Sequence, residues 1–146
     1  MNSRFLEIEL DTQPGIGLFD ITPRLREKLT ESGLRNGFVN VISRHTTTAL
    51  TINEYESRLL DDVRQFLTRL APPGAPYLHD DIHLRDCPQD EPKNAHSHLS
   101  AMLLGSSESI PVVDGELMLG TWQSVILIEL DGPRARRVGV QIIGES

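Results

Sequence analysis

Residues 94–123, NAHSHLSAMLLGSSESIPVVDGELMLGTWQ, change their hydrophobic period twice within a short span, which leaves few folds open to the chain. Ala95, Leu99, Met102 and Leu103 follow an i, i+4, i+7, i+8 series, so a helix is expected with these residues on its apolar face. Asn94 can cap its start, and Gly105 can end it in a left-handed conformation. From Ser109 to Val113 the chain reads as extended. Asp114-Gly115 is a strong two-residue hairpin signal, and Glu116 to Leu119 is expected to run back. Gly120-Thr121-Trp122-Gln123 then leads into Ser124 to Glu129, an apolar run suited to a buried strand. A helix feeding a hairpin and then a core strand belongs to a mixed architecture.

The flanking sequence agrees. Arg4 to Leu10 alternates apolar and polar residues as a half-buried strand does. Gln13-Pro14-Gly15 turns the chain, and Asp20-Ile21-Thr22-Pro23 opens a helix with Thr22 as cap and Pro23 at its first position; Gly33 ends it. Gly37 to Ser43 is a second strand, continued by the β-prone, threonine-rich segment His45 to Asn53. A helix follows from Glu56 to about Leu70, with Leu59, Leu60, Val63, Phe66, Leu67 and Leu70 on one face. Residues 71–92 carry prolines at 72, 73, 76, 88 and 92 and read as a long loop. Asp131-Gly132-Pro133 turns into a last strand, Arg136 to Ile143. The expectation is one α+β domain over residues 1–146, a mixed and mostly antiparallel sheet or sandwich of about seven strands with about three helices.

At 146 residues and 38% hydrophobic, the chain can bury a real core. A net charge of −7 argues against nonspecific binding of nucleic acid or an anionic membrane, so an anionic substrate would need a local cluster of donors. No apolar run reaches the ~20 residues that span a bilayer, and the first residues lack a signal-peptide core. A cytoplasmic location is expected. The single cysteine, Cys87, excludes an intrachain disulfide and a cysteine-cluster metal site.

All five histidines (45, 79, 83, 96 and 98) fall between residues 45 and 98. Imidazole is the commonest protein ligand for zinc-like metals, but each histidine taken alone reads as an ordinary surface or satisfied residue rather than a ligand; it is their concentration that points to a metal. His96 and His98 are about 200° apart on a helix and cannot share an ion there. His79 and His83 have helical ligand spacing, but the surrounding prolines disfavour a helix. A metal site would therefore draw one histidine from each of three segments and keep a position open for water or substrate.

Other residues have two readings each. Asn53 or Glu54 either caps the following helix or serves catalysis, with Glu54 as general acid or base and Asn53 orienting a ligand. Gly105-Ser106-Ser107 is either a helix stop or an anion-binding turn, and the preceding helix C-terminus repels anions. Thr121-Trp122-Gln123 either belongs to the core or lines a pocket, the indole stacking on a flat ring. Arg134, Arg136 and Arg137 form a positive cluster that is either a solvated strand end or a phosphate partner.

HTTTALTINE at 45–54 together with LLGSSESIPVVDGELMLGTWQ at 103–123 resembles the YjbQ family, also called UPF0047, over nearly the whole chain. The resemblance implies a small, trimeric α+β protein with secondary thiamine-phosphate synthase activity. It carries the family's metal ligands onto His45, His79 and His98, with His96 and His83 secondary, and implies a divalent metal, zinc first. Glu54, Asn53 and Gln123 are then the candidate catalytic residues, and Thr46, Ser106, Ser107, Thr121, Trp122 and Arg136 the candidate substrate contacts. The implied reaction joins a hydroxymethylpyrimidine diphosphate to a thiazole phosphate. A metal-dependent small-molecule hydrolase and a non-catalytic metal- or metabolite-binding protein are the alternatives.

Overall fold

The computed structural model describes residues 1–146. In chain order the elements are β1 (Asn2–Asp11), β2 (Gly15–Asp20), α1 (Thr22–Ser32), β3 (Asn36–Ser43), β4 (Thr48–Asn53) and α2 (Ser57–Leu70). Two single 3₁₀ turns, Leu78–Asp80 and Ile82–Leu84, precede α3 (Ala95–Leu104), β5 (Ser107–Val113), β6 (Glu116–Leu117), β7 (Ser124–Gly132) and β8 (Ala135–Glu145). The strands form a five-stranded sheet ordered β1-β8-β3-β5-β6 and a three-stranded sheet ordered β2-β7-β4. Every pairing is antiparallel. The expected α+β class holds, with eight strands and three helices.

Three layers result, with the smaller sheet in the middle. On β7 the side chains of Val125 and Leu127 join Ile8, Val39, Val41, Val138, Val140 and Ile142 of the larger sheet in the main core. Their alternates Ile126, Ile128 and Leu130 face the other way and meet Leu60 and Leu67 of α2 and Ala101 of α3. A strand buried on both faces has no need of polar alternation, which is why 125–128 is a continuous apolar run. Leu25 and Leu29 of α1 complete the main core.

Local sequence explains most element ends. Gly33 sits at φ 71° and ends α1, while Asp114 (φ 52°) and Gly115 (φ 83°) form the tight turn between β5 and β6. Departures from expectation have equally local causes. Thr22 does not cap α1: its hydroxyl accepts the Val125 N–H at 2.8 Å, and Asp20 Oδ1 accepts the Thr22 N–H instead. Residues 15–20 form a strand that pairs with β7, where the sequence signals only a turn at Gly15. Residues 45–53 do not extend β3. The chain leaves the larger sheet at Ser43, turns, and enters the smaller sheet at Thr48.

Of the apolar face its periodicity suggests, α3 buries Ala95 and turns the other three residues outward. Ala95, Ser97, Ser100 and Ala101 are buried, whereas Leu99, Met102 and Leu103 are 46%, 79% and 66% exposed. Small side chains let the helix lie close on β7, and Ser97 Oγ donates to the Leu130 carbonyl at 2.6 Å. On α2 only Leu60 and Leu67 of the expected face are buried, and Phe66 and Leu70 are about half exposed. Gly105 ends α3 at φ 95°, ψ 163°, outside the left-handed helical region.

Candidate functional site

The turn between β3 and β4 is the foundation of the site. Ser43 Oγ and Thr48 Oγ1 hydrogen-bond to each other across it, and the Thr47 carbonyl accepts the Leu130 N–H at 3.1 Å. Beneath it lie the only buried charges in the molecule. Arg136 Nε and Nη2 reach the two carboxylate oxygens of Glu129 at 2.7 and 2.6 Å, and Nη2 also donates to Thr47 Oγ1 at 2.8 Å. Thr12 Oγ1 donates to Glu129 Oε1 at 2.5 Å, and the Leu130 and Asp131 amides donate to Oε2. Burial alone would raise the Glu129 pKa, but the Arg136, Thr12 and backbone hydrogen bonds outweigh it and hold the carboxyl below its ordinary value.

His45 and Thr46 project from this turn. They line a cleft of about 440 Å³ with Ser43, Arg44, Thr48, His98, Ala101, Met102, Gly105 and Ser106. No carboxylate lines it, so in an acidic chain this is a local region of hydroxyl, imidazole and guanidinium groups. His45 Nε2 accepts the Arg137 N–H at 3.0 Å. In a neutral ring that bond leaves the proton on Nδ1. The His45 pKa is lowered, first by burial and then by the Arg136 guanidinium, with Glu129 pulling the other way.

His98 and Met102 also belong to a second, mostly apolar cleft of about 460 Å³, completed by Tyr77, Leu78, His79, Ala95 and Leu99. At the junction the His79 and His98 rings stand edge to face, with centroids 4.8 Å apart and planes at 82°. His79 reaches this place because the loop carrying it is fastened to α3. Asp80 Oδ1 accepts the Ala95 N–H at 3.0 Å, a helix cap supplied from 15 residues upstream, and Arg85 Nη1 donates to the His79 carbonyl. Asn94, the expected cap, instead donates from Nδ2 to Asp131 at 2.8 Å. The His98 pKa is lowered by burial and then by His79, while Asp131 opposes the shift.

The expected site residues divide. His45, Thr46, His98 and Ser106 share the first cleft, and His79 joins through His98. Asn53 and Gln123 lie at the far end of β4, where Asn53 pairs with Ser124. The six residues of β4 put that end about 17 Å from the His45 turn. Neither Asn53 nor Glu54 caps α2: Glu56 does, accepting the Arg58 and Leu59 amides, while Asn53 Oδ1 accepts the Glu54 N–H at 2.7 Å. Gln123 Oε1 accepts the Gly120 N–H and closes the turn holding Thr121 and Trp122, whose indole is 74% exposed. Ser107 starts β5, and its hydroxyl accepts from Asn40 rather than lining the cleft. Arg136 is 4% exposed and committed to Glu129, which leaves it no freedom to bind a substrate phosphate.

Nor do the three histidines form one donor set. No three His, Cys, Asp or Glu side chains come together as metal ligands. His45 Nε2 is engaged instead with the Arg137 backbone N–H. The sequence pointed to the histidines but not to Asp80, Glu129 or the Ser43–Thr48 crossing, because their roles depend on residues distant in the chain.

Fold and site define a small two-sheet α+β protein with a histidine-flanked cleft at the crossing between its sheets. Its sequence matches the UPF0047 protein YjbQ-like family over residues 6–145, and the chain belongs to that family. Over 139 residues it is 46% identical to a UPF0047 protein of Methanothermobacter thermautotrophicus, covering 95% of this chain and 91% of the relative. With the UPF0047 protein YugU of Bacillus subtilis it is 30% identical over 138 residues, 94% of this chain and 97% of that one. The fold is similar to a crystal structure of a hypothetical protein from Aeropyrum pernix K1, with TM-score 0.88, 37% identity and coverage of 97% and 99%. It is equally similar to a YbjQ-like protein of unknown function from Sulfolobus solfataricus P2, with TM-score 0.88, 35% identity and 99% coverage of both chains. No helix is long and apolar enough to cross a membrane.

Proposed function

We propose that the protein is a cytoplasmic transferase acting on phosphorylated, ring-bearing small molecules. Following the family resemblance, the reaction is the joining of a hydroxymethylpyrimidine diphosphate to a thiazole phosphate to make thiamine phosphate. The observation that carries this reading is the paired cleft: a carboxylate-free polar half abuts an apolar half, and the two meet at His98. Such a groove suits a substrate with an anionic end and a flat ring.

In the proposed reaction the thiazole nitrogen attacks the pyrimidine methylene carbon. A C–N bond forms, the C–O bond breaks, and diphosphate departs with the electron pair. No proton need be abstracted, so the protein's work is to orient the rings and stabilise the leaving charge. Thr46, Ser106 and the His45 Nδ1–H are the donors available for that purpose, and Arg44, whose Nη1 is paired with Glu7 at 2.6 Å, adds the rest of its guanidinium. A divalent ion, zinc first, enters the proposal only through His79 and His98, and no step is assigned to it.

We extend the proposal to a homotrimer in which a second copy brings Asn53, Glu54, Trp122 and Gln123 to the histidine cleft. The exposed Leu99, Met102 and Leu103 beside that cleft supply apolar surface for such a contact. The test is diphosphate release from the two substrates together. Turnover that falls about 10²–10³-fold in His45→Ala supports the reading. Release from the pyrimidine diphosphate alone would identify a hydrolase, and no release above the uncatalysed rate would remove the enzyme reading. Mixing His45→Ala and Trp122→Ala proteins, each impaired alone, should restore part of the activity if copies share the site.

A further inference from the structure

Glu129 and Arg136 are the only charged residues fully withdrawn from solvent, and the proposed reaction uses neither. Burying such a pair is costly, and an apolar pair of the same volume would serve the core as well or better. Their connections account for the position. Arg136 holds Thr47, two residues after His45, through Nη2. The residue that follows it, Arg137, donates its backbone N–H to His45 Nε2. Thr12 and the Leu130 and Asp131 amides fix the carboxylate from three further sides.

We infer that the Glu129–Arg136 pair is a positioning device for His45, locking the 44–47 turn from both sides so that the ring offers its Nδ1–H as a fixed donor. The pair acts through Thr47 and Arg137 and touches no substrate. His45 also lines a third cleft, of about 410 Å³, with Glu9, Leu10, Asp11, Ala135, Arg136 and Arg137. The ring therefore stands between two open spaces, and without the lock it would be free to turn toward either one. A flexible donor is worth less to a developing charge than a preorganised one. The inference rests on the donor cleft proposed above, but the state of the ring can be read independently of any reaction.

The test uses the full chain, with ¹⁵N spectra of the histidine rings at neutral pH and calorimetric titration with inorganic pyrophosphate. Wild type should show His45 as a single Nδ1–H tautomer. Thr47→Val, which keeps shape and the Glu129–Arg136 pair, and Arg136→Lys, which keeps charge but loses the fork, should both give averaged tautomer shifts. Pyrophosphate affinity should fall about tenfold in each, and Thr47→Ser should restore both signals. A single Nδ1–H tautomer persisting in both folded variants overturns the positioning role. If wild type binds no pyrophosphate, the donor-cleft reading fails, and the tautomer result still decides what the buried pair does.

Discussion

At the scale of single residues, a few side chains hold the site together, and they are not the ones that spacing alone selects. Histidines and the Asn53-Glu54 pair stand out in a sequence because their chemistry is intrinsic. Asp80 does not, since its role is created by the Ala95 amide it meets across the loop. Replacing Asp80 with Ala should cost about 1 kcal/mol, as loss of a helix cap does, and should loosen the His79–His98 contact. Urea denaturation checks the first effect, and loss of the ring-current shifts between the two imidazoles checks the second. Glu129 sets an acid limit. Its folded pKa is depressed, so its contribution is present above the unfolded value of about 4.3 and is lost as pH falls through the lower folded value. Urea midpoints measured downward from pH 6 should therefore drop steeply only below about pH 4.3 on account of this group. His45 and His98, also depressed, add an earlier loss as pH falls below about 6.5.

Among the elements, those with a strict local signal were legible. β1 declares itself by alternation, α1 by its glycine stop, the β5–β6 hairpin by Asp114-Gly115, and β7 by its apolar run. β2 was hidden because Gly15 and Gly17 interrupt its pattern and its partner lies more than a hundred residues away. α3 was legible as a helix but not in its orientation. Periodicity marks the large apolar residues, whereas close approach to β7 selects the small ones. The outward Leu99, Met102 and Leu103 make a prediction that belongs to this helix. Changing all three to Ser should leave the fold intact by circular dichroism, since none fills the core, and should shift a sedimenting oligomer toward monomer. An unchanged oligomer would place the subunit contact on another face. The same logic explains the divided site: the sequence shows that residues are chemically suited to work together, but not that β4 separates them by its full length.

For the whole molecule, the middle sheet is the common wall of both cores, so packing errors there affect two interfaces at once. Leu50 of β4 is fully buried in the main core, and Leu50→Ala should destabilise by about 2–5 kcal/mol, measured as a lower urea midpoint with an unchanged slope. The larger sheet has a different consequence. β1 and β8 pair along their whole length, from Asn2 opposite Gly144 to Asp11 opposite Ala135, so the two ends of the chain emerge side by side on neighbouring strands. A backbone whose beginning and end are neighbours is topologically close to a ring. A short glycine-rich tether across that gap, with a new opening cut in the proline-rich 71–76 segment, should yield a circularly permuted protein with the native near-ultraviolet spectrum. In that rearranged chain the last strand would become a hairpin partner of the first, a distant pairing converted into a local one. Refolding should accelerate accordingly if closing the larger sheet limits the rate.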